Sequence, residues 1–305
     1  MSSRGWTAEQ IPPLDGRLFV VTGATSGLGL ETTRALAAHG ARVVLAVRDE
    51  DKGRRVAAEQ PGALTVRRLD LTDFASVRAF AAGLHDEFGS IDVLINNAGV
   101  MATRRTLTAD GHEVQFAANH LGHFALTGLL LDLLTAGRDP RVVTVTSSYH
   151  RRGRLRFDDP TGERSYSPMA FYNTTKLANA IFGWELHRRL TAAGSPVRSV
   201  LAHPGYAATS LQVSATTTTW MVMLARIGNP VLGQSALRGA RSQLYAATVP
   251  EVAGGQLIGP GGPGELRGDP KPVKLSAAAT DPENGRRLWE VSEKATGVHF
   301  GLPVA

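Results

Sequence analysis

A chain of 305 residues with 43% hydrophobic and 20% charged residues can bury a sizeable core as one large or two modest domains, which excludes wholesale disorder and fibrous repeats. The absence of cysteine excludes a disulfide framework, a thiolate nucleophile, a zinc ribbon and an iron–sulfur cluster, leaving only histidine–carboxylate metal sites open. A net charge of +6 comes from 33 basic and 27 acidic residues, so any anionic partner depends on where the charges cluster.

Residues 1–14 read as an N-terminal extension without the apolar core and small-residue cleavage site of a secretory signal, and the chain is expected in the cytoplasm. Apolar stretches at 124–134 and 220–232 are interrupted by Asp132 and Arg226. Both fall short of the roughly 20 apolar residues of a spanning helix.

Short runs rich in apolar and β-branched residues at 18–22, 42–47, 64–69, 92–96, 141–146, 197–202 and 256–258 alternate with helical patterns. Unbroken apolar runs such as 142–145 suit parallel strands covered on both faces. The expectation is an α/β fold, a single doubly wound domain over 15–300 with a seven-stranded parallel sheet. Ser26-Gly27 opens a helix that stops at Gly40, and Asp281-Pro282 opens a last one that stops near Gly297. The Gly/Pro-rich stretch 259–272 reads as a loop.

The first strand runs into Gly23-Ala24-Thr25-Ser26-Gly27-Leu28-Gly29 and then a helix, where glycines permit a tight turn and close approach to a pyrophosphate. After the second strand, Arg48 stands where an NAD site would place a carboxylate. Its planar cationic fork suits a 2′-phosphate, with Lys52 four residues on and expected on the same helical face. This favours NADP(H); NAD(H) is the alternative, with Asp49 on the ribose and Arg48 merely solvated.

Tyr172 and Lys176 lie four apart within a helical pattern at 170–190, so both project from one face. An ammonium beside a phenol favours phenolate and is expected to lower its pKa, giving an acid/base for a carbonyl oxygen. Taken alone, an accidental Tyr/Lys pair on an amphipathic helix is the stronger reading, because such pairs are common.

The turn at 22–29, Asn96-Asn97-Ala98-Gly99, Ser147 at the end of the fifth strand and Tyr172-Asn173-Thr174-Thr175-Lys176 occur in an order that resembles the short-chain dehydrogenase/reductase family over residues 15–300. The resemblance implies a Rossmann-type domain. It further implies Tyr172 as general acid/base, Lys176 as its partner on the nicotinamide ribose, Ser147 on the substrate oxygen, and Asn119 holding a water in the proton relay. For the cofactor it implies Gly23, Thr25, Ser26, Gly27, Leu28 and Gly29 around the pyrophosphate and Asp70 with Leu71 beside the adenine. Asn97, Ala98 and Gly99 would lie beside the ribose, and Pro204, Gly205 and Thr209 at the carboxamide.

The 25-residue step from Ser147 to Tyr172, with Ala46-Val47-Arg48-Asp49, Lys176-Leu177-Ala178-Asn179, His203-Pro204-Gly205 and Arg287-Leu288-Trp289-Glu290, resembles the branch of retinol dehydrogenases, the WW-domain oxidoreductase and light-dependent protochlorophyllide reductase. That branch implies NADP(H) and, as small-molecule substrate, a bulky lipophilic carbonyl or alcohol. Departures are Val47 in place of a cysteine, Thr175 in place of a serine, and no membrane anchor before residue 15, which argue against a membrane-bound retinoid enzyme. An insertion is expected at 149–170 and a substrate lid at 209–235, with 216–219 expected to move without substrate; Trp220, Met221, Met223, Leu224, Ile227 and Leu232 suit an apolar pocket, with helix packing or a subunit contact as the equal alternative.

The basic run 150–156 is expected to be a solvated loop offset by Asp158, Asp159 and Glu163; recognition of an anionic substrate or membrane surface is the alternative. Nucleic acid is not expected, for want of interleaved stacking aromatics. The functional readings are a carbonyl/alcohol oxidoreductase, a reductase of activated C=C bonds, or a non-catalytic NADP-binding interaction protein. Related enzymes often dimerise or form tetramers, which leaves a homo-oligomer open.

Overall fold

A computed structural model describes residues 5–206 and 235–304. Its eight strands are β1 (Leu18–Thr22), β2 (Arg42–Val47), β3 (Ala63–Arg68), β4 (Val93–Asn96), β5 (Arg141–Val145), β6 (Arg198–Ala202), β7 (Leu257–Pro260) and β8 (Pro270–Val273). They form one sheet in the order β3-β2-β1-β4-β5-β6-β7-β8. The first seven are parallel, as expected, and β8 is antiparallel to β7. The strand order reverses between β1 and β4, the crevice where doubly wound sheets hold ligands.

Continuous burial explains the apolar runs. Leu18 and Val20 face one core with Phe124, Phe182 and Trp289; Phe19 and Val21 face the other with Leu36, Leu244 and Ile258. Side chains still alternate along each strand, but neither face meets water.

The helices are α1 (Gly27–Ala38), α2 (Glu50–Ala58), α3 (Phe74–Glu87), α4 (Val114–Phe116), α5 (Gly122–Leu129), α6 (Leu131–Thr135), α7 (Pro168–Ala192), α8 (Ala236–Thr248), α9 (Ala277–Thr280) and α10 (Pro282–Thr296). α10 has the predicted ends: Asp281 Oδ1 accepts from the Glu283 N–H, and Gly297 takes the left-handed conformation at φ +63°.

The stretch 259–272 is not all loop, because its end forms β8. Pro270 and Pro272 lack N–H donors, which argues against a strand from sequence, yet β8 occupies the sheet edge, where prolines are tolerated.

Candidate active site

β1 ends in a turn shaped by glycine. Gly23 and Gly27 have φ of +67° and +54°, a region L-residues avoid. A Cβ on Gly29 would fall 2.3 Å from the Gly23 carbonyl oxygen and 2.6 Å from Asn97 Nδ2. Ser26 is the N-cap of α1 but its side chain makes no capping bond, so the first-turn N–H groups are left to the crevice. Thr25 and Leu28 are partly exposed on the same turn.

Asn97 locks this turn to its neighbour. Its Nδ2 donates to the Thr22 carbonyl at 2.8 Å, while the N–H groups of Asn97 and Ala98 both donate to Thr22 Oγ1 at 2.9 Å. Two residues missed from sequence complete the lock. Gln243 Nε2 donates to Thr32 Oγ1 at 2.6 Å and to Asn97 Oδ1 at 3.3 Å. His123 Nδ1 lies 3.0 Å from the Asn119 carbonyl oxygen and Nε2 lies 2.9 Å from Thr22 Oγ1. Burial pushes this imidazole down to about 4, so it is neutral, and a proton on Nδ1 makes Nε2 an acceptor for the threonine hydroxyl. Lone buried histidines and glutamines carry no spacing signal, which is why neither stood out.

Arg48 precedes α2 rather than sharing its face with Lys52, because Asp49 is the N-cap and accepts from the Lys52 N–H at 2.9 Å. Arg48 and Lys52 are both exposed and have no ion pair among the described residues. At the end of β3, Asp70 accepts from the Thr72 N–H and hydroxyl at 2.9 and 2.7 Å. Leu71 is buried with its carbonyl against Gly122, where a Cβ would fall 2.3 Å away. Pro204 and Gly205 follow β6, with Gly205 at φ +68°. Thr209 and the expected lid up to residue 234, including 216–219, lie outside the described residues.

The structure brings Asn119, Ser147, Tyr172 and Lys176 together. Tyr172 and Lys176 sit one turn apart on α7, each 5% exposed. Thr146 Oγ1 donates to the Lys176 carbonyl at 2.7 Å, pinning α7 against the end of β5, where Ser147 follows. Asn119 lies within a π-helical turn, Ala117–Leu121, a distortion frequent at functional sites. Its amide accepts from the Val100 N–H at 2.8 Å and donates to the Val100 carbonyl at 2.9 Å and Thr175 Oγ1 at 3.0 Å. Thr175 in turn donates to the Tyr172 carbonyl at 2.8 Å, so the departure from serine keeps the hydroxyl. Gly99 closes over the group: a Cβ there would sit 3.1 Å from Asn119 Oδ1 and 3.8 Å from Lys176 Nζ.

The expected lowering of the Tyr172 pKa does not occur. Burial pushes the phenol up to about 12, against a hydrogen bond with Ser147 that pulls it down, and the nearby Tyr149 raises it further. Lys176 Nζ is 5.7 Å from the Tyr172 ring centre, and its own burial brings it down to about 8. Desolvation is the main cause at both groups, and it leaves Tyr172 protonated at neutral pH.

The chain from 149 to 170 packs beside this group. Tyr149 meets Tyr172 edge-on, with ring centres 6.2 Å apart, and the Arg152 guanidinium lies 5.5 Å from the centre of the Tyr149 ring. The basic run is not offset by the carboxylates that follow it. Arg151 pairs with Glu265 at 2.9 Å, Asp158 pairs with Arg164 at 2.7 Å, and Asp159 accepts backbone N–H groups of Glu163 and Ser165. The far end is anchored by Tyr166, whose hydroxyl meets Glu113, Thr103 and Gln115. Among the described residues, no three histidine or carboxylate side chains are grouped to hold a metal, and no helix is long and apolar enough to cross a membrane.

A doubly wound sheet whose switch point carries a glycine turn beside a Ser/Tyr/Lys/Asn cluster defines the class, a Rossmann-type dinucleotide-binding protein. The short chain dehydrogenase family model matches residues 17–220. Human (Homo sapiens) retinol dehydrogenase 11 is 40% identical over 296 residues, covering 95% of this chain and 88% of that protein. Mouse (Mus musculus) polyprenol dehydrogenase is 39% identical over 301 residues, covering 95% and 87%. A crystal structure of an uncharacterized protein from Mycobacterium paratuberculosis superposes with a TM-score of 0.82 at 45% identity, covering 98% of this chain and all of that one (100%). The chain belongs to the short-chain dehydrogenase family of nicotinamide-dependent alcohol/carbonyl oxidoreductases, in the branch of the retinol dehydrogenases.

Proposed function

We propose that the protein is an NADP(H)-dependent oxidoreductase that interconverts a carbonyl and an alcohol on a small lipophilic substrate, with Tyr172 as general acid/base. The observation that carries this reading is a buried, protonated Tyr172 one helical turn from the buried Lys176, on a helix that Thr175 joins to Asn119 and Thr146 pins beside Ser147. Ser147 would donate to the substrate oxygen while Tyr172 Oη passes its proton to the same atom. Lys176, brought down to about 8, still carries its charge at neutral pH and offsets the phenolate left behind. Asn119 keeps Val100 and Thr175 in place around the pair.

The glycine turn fits a dinucleotide, since a Cβ at Gly29 would close it onto Asn97 and the first turn of α1 is left uncapped. Bound there, the nicotinamide would supply or accept the hydride. NADP(H) over NAD(H) is supported by an exposed Arg48 with no ion pair among the described residues, and by Asp49, whose carboxylate caps α2. A lipophilic substrate is supported by relatives named for retinol and polyprenol.

The test is Tyr172→Phe, followed by NADPH absorbance with retinal, steroid ketones, aromatic ketones and enones, and by NADPH fluorescence for binding. The expected result is a loss of carbonyl turnover on the order of 100-fold or more with NADPH affinity within about twofold of wild type. Unchanged turnover would falsify the assignment, and turnover of enones alone would move it to C=C reduction.

A further inference from the structure

A buried polar chain outside the proposed catalytic group joins three segments far apart in sequence. His203, fully buried at the end of β6, packs over Gly259, where a Cβ would fall 2.1 Å from Nε2. Its Nδ1 accepts from the Gly205 N–H at 3.2 Å. A ring nitrogen that accepts carries no proton, so the neutral imidazole has its proton on Nε2, which faces Glu265 Oε2 at 3.0 Å. Burial holds this imidazole well below the ordinary histidine range and keeps it neutral.

Glu265 does more than receive one proton. Its other oxygen accepts from Arg151 Nη2 at 2.9 Å, and that nitrogen also donates to the Lys274 carbonyl at 2.8 Å. The next residue, Leu266, accepts from the Tyr206 N–H at 2.9 Å. Residues 265 and 266 thus hold the 203–206 turn from both ends. Glu265 itself has φ +56°, a conformation that costs a non-glycine residue free energy and persists only when surrounding contacts enforce it.

We propose that Glu265 is a positioning residue for the Pro204-Gly205 turn. By accepting the Nε2 proton of His203 it leaves Nδ1 open to the Gly205 N–H, and by pairing with Arg151 it ties that turn to the chain leaving Ser147. The cofactor arm of this inference rests on the reading above, in which Pro204-Gly205 lies at the nicotinamide carboxamide. Without an acceptor at 265, the buried Nε2–H has no partner, and the tautomer with the proton on Nδ1 opposes the Gly205 N–H.

The full chain and Glu265→Leu are compared by three readouts: imidazole ¹⁵N shifts, with His203 assigned through His203→Gln; hydrogen exchange of the Gly205 amide; and NADPH titration. The expected wild-type result is a His203 proton on Nε2 with a protected Gly205 amide. In Glu265→Leu the tautomer shifts, Gly205 exchange rises at least about tenfold, and NADPH binds about tenfold more weakly, as for a hydrogen bond to a charged group. A wild-type proton on Nδ1 overturns the proposal even if the variant does not fold. So does a folded variant with unchanged Gly205 exchange. If wild type binds neither NADPH nor NADP+, the functional reading fails while the tautomer and exchange still decide the role of Glu265.

Discussion

Lys176 Nζ donates to the Val145 carbonyl at 3.2 Å, which anchors the buried amine to the end of the strand that leads into Ser147. The group is brought down to about 8 from an ordinary 10.5, so between those values the unfolded chain binds the extra proton and stability rises with pH. Tyr172 runs the other way, pushed up to about 12 from 10.0, and lowers stability only above pH 10. Between pH 8 and 10, wild type should therefore gain on Lys176→Met, by on the order of 1 kcal/mol per pH unit. Urea unfolding at pH 7.5, 8.5 and 9.5 measures the difference; one that stays flat across the series rejects a depressed Lys176.

Arg48 is exposed and without an ion pair among the described residues, while its neighbour Asp49 is held by the backbone of α2. Removing the guanidinium should weaken binding of the phosphorylated cofactor and leave the other nearly unaffected. For Arg48→Ala the expected change is about a tenfold or greater drop in NADPH affinity, the size of a lost charge-assisted hydrogen bond, with NADH within about twofold. Parallel fluorescence titrations decide it. Equal losses for both cofactors would assign Arg48 to the shape of the β2–α2 turn instead.

The parallel strands were legible because both faces of the sheet are covered, which makes runs such as Val142 to Val145 continuously apolar. β8 was hidden by its own prolines, since only its place at the edge makes them harmless. Tyr172 and Lys176 could be placed on one face from their spacing alone, but the direction of the Tyr172 shift could not. It depends on how much water the folded site removes, which no spacing encodes. Glu113 with Tyr166 and His203 with Glu265 are 53 and 62 residues apart, so only the fold joins them. Arg151 likewise finds Glu265, 114 residues away, rather than the carboxylates next to it in sequence.

Tyr166 is the anchor at the far end of the 149–170 segment. Its hydroxyl meets Glu113 Oε1 at 2.8 Å and the Thr103 carbonyl at 3.0 Å, and accepts from Gln115 Nε2 at 2.9 Å. Glu113 is buried and its carboxyl is pushed up by desolvation, so losing this donor leaves an acidic group less satisfied in a dry site. Tyr166→Phe keeps the ring packed on Phe171, with centres 4.6 Å apart, and removes only the hydroxyl. The expected cost is about 1–3 kcal/mol of stability, with faster tryptic cleavage at Arg154 and Arg156. Because the segment flanks Tyr172 through Tyr149, carbonyl KM should rise about fivefold or more for a loosened wall, while NADPH affinity stays within about twofold. Thermal unfolding, timed trypsin digestion and steady-state kinetics read the three effects separately. Unchanged digestion together with an unchanged KM would show that the segment is held elsewhere.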